Sequence, residues 1–172
     1  TRRKICCFKG GHRVKSYILN LLEERDIDLK RVAELIYETQ LKYCPKLTLE
    51  VCMETLQAIL GKREVQYAIL TGLTLDKLAE ESLLPSVLQE AVANDEPLFG
   101  IDEVIGLSIA NLYGTIGQTN FGYLDKGKFG LIRELDSKHG KVNTFADDIV
   151  CALVGASAAR LVHRSDYVEK LI

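Results

Sequence analysis

Residues 28–45 have the sequence DLKRVAELIYETQLKYCP, which predicts an amphipathic α-helix over residues 29–43. Asp28 is a good N-cap because its carboxylate can accept hydrogen bonds from the first backbone N–H groups of a helix. Pro45 ends the run, since proline cannot continue a helix. The apolar side chains between these two residues recur at near-helical spacing, at Val32, Leu35, Ile36 and Leu41.

Helical signals continue on the C-terminal side of this segment. Thr48 is the predicted N-cap of a second helix, which Gly61 ends. We expect a third helix over residues 64–70 that breaks at Gly72, followed by a short helix that Thr74 opens. Later helices are predicted over residues 85–93, with Pro85 in the first turn, and over residues 102–111, 129–136 and 147–163. Alternation typical of strands is never sustained, so the predicted fold is all-α, a single multihelical domain over residues 1–172.

Composition narrows the functional classes. The chain has 172 residues, is 47% hydrophobic and carries a net charge of -2, which gives no electrostatic basis for binding nucleic acid. The five cysteines are odd in number and lack a C-x-x-C pair. A disulfide framework is therefore not expected, which fits a reducing cytoplasm, and Cys44, Cys52 and Cys151, which lie among apolar residues, are predicted to be small core residues. No apolar run is long enough for a signal peptide or a membrane span, which leaves peripheral membrane contact open.

The amino-acid composition changes within residues 99–163, which follow a set of predicted N-terminal helices over residues 1–98. Nine of the thirteen glycines lie between Gly100 and Gly155, and glycine inside helices needs a reason such as close packing or ligand approach. Acidic pairs also begin two otherwise apolar helices. These pairs are Asp102-Glu103 and Asp147-Asp148.

Two interpretations of the acidic pairs are available. Acids in a first turn complement the helix dipole, and either pair alone fits that structural role. Two helix starts that converge would instead place carboxylates together, and carboxylate oxygens are the ligands that Mg²⁺ prefers.

Residues 124–140 have the sequence LDKGKFGLIRELDSKHG and lie between the acidic pairs. Asp125 and Asp136 are eleven residues apart, which on one helix is about three turns and returns to the same face. Lys128 and Arg133 lie between them and offer a point charge and a planar fork for phosphate. A solvated helix face with charge pairs is the structural alternative. His139 is a candidate proton shuttle, or a surface histidine.

The order and spacing of these motifs resemble those of the phosphatidylglycerophosphatase A family. The family's Asp-Glu-x-Ile-Gly motif stands here at residues 102–106. Its His-Gly followed by Asp-Asp-Ile, eight residues after the histidine, stands at 139–140 and 147–149. The intervening family segment matches Phe121, Asp125, Lys128, Ile132, Arg133 and Asp136.

The resemblance implies a Mg²⁺-dependent phosphatase that removes a phosphate monoester from a lipid or small-molecule substrate. The implied Mg²⁺ ligands are Asp102, Glu103, Asp147 and Asp148. The implied phosphate-binding residues are Lys128 and Arg133, and the implied catalytic residues are Asp125, Asp136 and His139.

An alternative is a non-catalytic helical binding or assembly module that kept the scaffold and an anion pocket. Departures from the family pattern favour it. The second glycine of the family's His-Gly-Gly is Lys141, a further glycine is Asn143, and an early Gly-Thr-x-Gly-Ser segment is missing. Under either interpretation, apolar stripes on more than one face of the N-terminal helices predict a symmetric homodimer.

Overall fold

A computed structural model of the chain describes residues 11–137 and 140–163. All regular structure in these two ranges is helical, which confirms the predicted all-α fold. The helices of this described part, in chain order, are α1 (Gly11–Glu24), α2 (Leu29–Gln40), α3 (Leu49–Leu60), α4 (Arg63–Glu80), α5 (Ser86–Ala93), α6 (Ile101–Asn111), α7 (Gly114–Gly127), α8 (Leu131–Asp136) and α9 (Ala146–His163).

Helix α9 is the centre of the molecule. Nearly all of its side chains are buried, and α2, α3, α4, α6, α7 and α8 all pack against it. One hydrophobic core therefore includes residues from the N-terminal helices and from the glycine-rich region. Burial of apolar surface at about 25 cal/mol per Å² is the main force that holds such a bundle together.

The predicted N-caps of α2 and α3 form as expected. The side chain of Asp28 accepts a hydrogen bond from the backbone N–H of Lys30, and the side chain of Thr48 accepts one from Val51. Cys44, Cys52 and Cys151 are buried free thiols, as predicted.

The predicted break at Gly72 is wrong, because α4 runs without interruption from Arg63 to Glu80. A Cβ atom at Gly72 would lie 2.9 Å from the Cδ1 atom of Ile149 and 3.0 Å from the Cβ atom of Phe145. The glycine is thus a contact point that lets α4 approach the start of α9.

Glycine has the same use where α7 crosses α9. A Cβ atom at Gly155 would lie 2.8 Å from the carbonyl oxygen of Gly117, closer than real side chains come. This confirms close packing as one reason for the density of glycine in the second half of the chain. Within the described ranges no helix is both long and apolar enough to span a membrane.

Candidate acidic active site

A cavity of about 330 Å³ lies where α6 and α9 begin and where α7 and α8 end. Eight of its eleven lining residues are acidic, and Lys128 is the one basic residue that lines it in the described part of the chain. The lining residues are Asp95, Glu96, Pro97, Asp102, Glu103, Asp125, Lys128, Asp136, Thr144, Asp147 and Asp148. The first turns of two helices thus face the same space.

Lys128 contacts three of the carboxylates that line this cavity. Its Nζ atom lies 2.5 Å from Asp147, 3.0 Å from Asp125 and 3.5 Å from Asp136. Its backbone has a φ of +44°, in the left-handed region that costs a side-chain-bearing residue energy, and the Nε atom of Arg133 donates a hydrogen bond to its carbonyl oxygen. Burial alone lowers the pKa of Lys128, but the neighbouring carboxylates raise it above its usual value. The ammonium group therefore stays charged.

Asp148 differs from its neighbour Asp147. Both side chains are buried, but Asp147 pairs with Lys128, whereas Asp148 has no hydrogen bond or ion pair with any residue in the described part of the chain. Burial, and then the neighbouring Asp147 and Asp125 carboxylates, raise the pKa of Asp148 to about 9. Burial also raises the pKa of Asp147 to about 6, against the opposing effect of Lys128.

Asp102 is a second carboxylate whose surroundings disfavour its charged form. Its Oδ1 atom is buried and accepts no hydrogen bond from residues 11–137 or 140–163. Burial and the adjacent Glu103 carboxylate raise the pKa of Asp102 to about 7. Buried anionic oxygens without partners are costly, so this arrangement favours a cation in the cavity.

A buried polar network fixes the segment that precedes α9. The carboxylate of Asp76 accepts a hydrogen bond from the backbone N–H of Phe145 at 3.1 Å. Arg25 donates to the Oδ1 atom of Asn143 at 3.0 Å, and the Nδ2 atom of Asn143 donates to the carbonyl of Leu135 at 2.9 Å. The asparagine in the place of a family glycine thus connects this segment to the turn that follows α1 and to α8.

Seven of the nine predicted site residues line the cavity: Asp102, Glu103, Asp125, Lys128, Asp136, Asp147 and Asp148. Arg133 is not among the lining residues and instead supports the backbone of Lys128. His139 lies outside the described residues. The functional roles assigned to all nine stay predictions.

The prediction that Asp125 and Asp136 share a face of one helix is wrong. Asp125 lies on α7 and Asp136 on α8, and the left-handed backbone at Lys128 and Gly130 turns the chain between the two helices. Both carboxylates nevertheless reach the same Lys128 ammonium group.

Sequence reasoning missed several acidic or polar neighbours of the site, among them the lining residues Glu96 and Thr144. Asp95 lines the cavity from the turn between α5 and α6, a segment that carries none of the family motifs. Cys151 lies in an apolar stretch of sequence that gave no sign of its acidic neighbours. The available signal for Asp76 was a single aspartate in a predicted helix.

The fold and the cavity define an all-α protein with an acidic site built around one lysine. The chain belongs to the phosphatidylglycerophosphatase A family, whose sequence model matches residues 31–163. The match confirms the resemblance and begins well before the motifs that carried it, so the N-terminal helices from α2 onward are part of the family's sequence pattern.

Several relatives are similar over most of their length. The uncharacterized protein YpjQ of Bacillus subtilis is 50% identical over 87% of this chain and 89% of its own. Its crystal structure has a TM-score of 0.87, with 92% of this chain and 98% of that chain covered at 48% identity. The low temperature requirement C protein of Listeria monocytogenes has a TM-score of 0.84 at 45% identity, with 87% and 95% covered.

Proposed function

We propose that the protein is a Mg²⁺-dependent phosphomonoesterase that hydrolyses a lipid or small-molecule phosphate in the acidic cavity. The observation that carries the proposal is the convergence of seven family-motif residues from four helix ends on one cavity. Family membership supports the phosphatase class, and the site supports the cation requirement.

The donor set fits Mg²⁺, which takes carboxylate oxygens and often only one or two carboxylates besides phosphate. Asp102, Glu103, Asp147 and Asp148 would hold it, and the Oδ1 atom of Asp102 is a buried oxygen that lacks a partner among the described residues. The bound ion would polarise a phosphoryl oxygen and make a coordinated water more acidic.

The chain's own groups account for substrate binding. The Lys128 ammonium group, which contacts Asp125, Asp136 and Asp147, is a point charge that can pair with a phosphate oxygen. Arg133 fixes the backbone of Lys128, which sets where that charge is presented. The Asp125 or Asp136 carboxylate would position water or the lysine, and His139 would give a proton to the leaving alcohol.

Exposed apolar side chains beside the cavity favour the lipid end of this substrate range. Leu98 follows the lining residue Pro97 and is 93% exposed. Ile101 and Val104 flank Asp102 and Glu103 on α6 and are also exposed. Apolar side chains that no protein group covers can contact acyl chains or a membrane surface while the headgroup phosphate enters the cavity.

A phosphate-release assay on the purified full chain tests the proposal. Phosphatidylglycerophosphate, a short-chain analogue and glycerol 3-phosphate are each supplied with Mg²⁺ and then with a chelator. We expect Mg²⁺-dependent release from at least one of them. Binding of a phosphorylated ligand without metal and without release would overturn the proposal and favour the binding-module alternative.

The homodimer and the cytoplasmic location stay predictions alongside this proposal. Sedimentation equilibrium of the purified chain measures the first directly. A monomer at tens of micromolar concentration would contradict it.

A further inference from the structure

Cys151 lies beside the acidic cavity rather than in a purely apolar core. Its sulfur and one carboxylate oxygen each from Asp125 and Asp148 all lie within 4.8 Å of one another. Cys151 and Asp148 share a face of α9 because they are three residues apart, and Asp125 comes from α7, which packs against that face.

This set of donors differs in kind from the set expected for Mg²⁺. Mg²⁺ takes oxygen ligands, whereas a thiolate sulfur is a soft ligand that selects Zn²⁺ and similar ions. Zinc sites that stay open have three protein ligands and a water, with Zn–S near 2.3 Å and Zn–O near 2.0–2.2 Å. Ligand atoms on one tetrahedral ion are roughly 3.5 Å apart, so the three atoms need to move by only about 1 Å.

A separate observation indicates that one of these groups needs a ligand. Asp148 is 3% exposed, lines the cavity and has no hydrogen bond or ion pair among residues 11–137 and 140–163. A buried carboxylate normally finds a partner, and a cation is the partner that the surrounding acids favour.

Cys52 provides the contrast. It is as completely buried as Cys151, yet it belongs to no such group of metal-ligand atoms among the described residues. Burial alone therefore does not create the arrangement at Cys151.

We propose that Asp125, Asp148 and Cys151 form a binding site for a thiophilic divalent cation of the Zn²⁺ class. Binding forms a metal–sulfur bond and releases the thiol proton to water. The site shares Asp148 with the proposed Mg²⁺ ligands, so Zn²⁺ and Mg²⁺ exclude each other there. The inhibition that follows rests on the proposed phosphatase function, but the cation site itself does not.

Cadmium is the probe for the binding test, because a cadmium–thiolate bond gives an ultraviolet charge-transfer band. Cys6 and Cys7 precede the described residues, so both are replaced by serine in every full-length protein that is titrated. The metal-stripped protein, Cys151→Ser, Cys151→Ala, Asp125→Asn and the matched control Cys52→Ser are compared. Circular dichroism establishes which variants are folded.

We expect the band in the parent protein and in Cys52→Ser, and its loss in both Cys151 variants. Asp125→Asn should keep a weaker band. Zn²⁺ affinity, measured by competition with cadmium, should fall in the Cys151 variants by at least roughly 10–100-fold, the loss that even an outer-shell partner causes. An unchanged band or affinity in a folded Cys151 variant would overturn the proposal.

Zinc inhibition of phosphate release is the second measurement. Within each variant, the ratio of rates with and without Zn²⁺ at fixed Mg²⁺ is compared, and Cys151→Ser should be the less sensitive protein. Absence of any phosphatase activity would count against the proposed function alone, because the absorption titration decides the cation site by itself.

Discussion

The carboxylate of Asp76 accepts a hydrogen bond from the backbone N–H of Phe145, at 3.1 Å, across 69 residues of sequence. Asp76 is completely buried on α4, and Phe145 directly precedes α9. This bond connects the helix that carries Gly72 to the helix start that carries Asp147 and Asp148. The position of the acidic pair therefore depends on a residue outside the cavity.

Replacing Asp76 with alanine should destabilise the protein strongly. The change leaves the buried N–H of Phe145 without an acceptor and removes the carboxylate 3.9 Å from the buried Arg25. We expect a loss of about 2–4 kcal/mol in the free energy of unfolding, measured with urea. Asp76→Asn keeps one acceptor oxygen and should lose less. Equal losses in the two variants would contradict a specific role for the hydrogen bond.

A pair of glycine substitutions tests the packing of α4 on α9. Gly72→Ala would place a Cβ atom 2.9 Å from Ile149 and should cost about 1–3 kcal/mol of stability, because the core cannot absorb it without moving. Gly122→Ala, in the exposed middle of α7, meets nothing within 4 Å and should stabilise by about 0.5–1 kcal/mol. Thermal unfolding of both proteins gives the comparison. A neutral Gly72→Ala would show that this contact is loose.

Gly72 shows which features of the fold the sequence could predict and which it could not. Local signals such as the cap at Thr48 and the apolar periodicity around Leu35 depend on nearby residues, and they were enough to predict the all-α fold. Whether a glycine breaks a helix or admits a neighbouring one depends on a partner far along the chain. Gly72 meets Ile149, and no single-helix pattern contains that information.

The candidate site also has features that the sequence predicts and features that depend on tertiary contacts. Motif order was sufficient to select seven of the residues that line the cavity. It did not reveal that Lys128 has a left-handed backbone, which places Asp125 and Asp136 on two helices instead of one. The neighbourhood of Cys151 also arises only when α7 packs on α9. Contacts of that kind are tertiary and produce no periodic pattern in the sequence.

Stability of the metal-free protein should depend on pH through Asp148. Because its pKa is raised to about 9 in the folded state, its protonated form adds stability that is complete below the unfolded pKa, about pH 4. That stability is lost as the pH rises through about 9. The melting temperature without metal should therefore fall from about pH 5 to about pH 9, and less steeply in Asp148→Asn. Equal pH slopes in the two proteins would contradict this assignment.

Membrane contact through the apolar side chains beside the cavity can be separated from catalysis. Leu98→Asp and Val104→Asp change exposed residues that do not line the cavity. We expect slower hydrolysis of a phosphomonoester lipid in vesicles and an unchanged rate on a soluble short-chain analogue. Vesicle sedimentation measures binding directly, and Leu83→Asp, at an exposed apolar side chain that is not beside the cavity-lining segments, is the matched control. Equal effects of all three substitutions would show that this surface has no special role.

The sharpest comparison is between two acids that both lie in the first turn of a helix. Asp148 begins α9 and is buried in the cavity, whereas Glu50 begins α3 and is exposed. If first-turn acids here only complement the helix dipole, Asp148→Asn and Glu50→Gln should each cost about 0.3–1 kcal/mol of stability and leave function intact. If Asp148 binds a cation, Asp148→Asn should instead weaken Mg²⁺ binding and lower phosphate release, because asparagine keeps the shape and loses the charge. The same substitution should raise the melting temperature of the metal-free protein at about pH 8 by roughly 2–4 °C, since asparagine avoids the free-energy cost of protonating Asp148 on folding at that pH. Calorimetric Mg²⁺ titration of both variants decides between the two interpretations, and unchanged Mg²⁺ affinity in folded Asp148→Asn would overturn the proposed metal site.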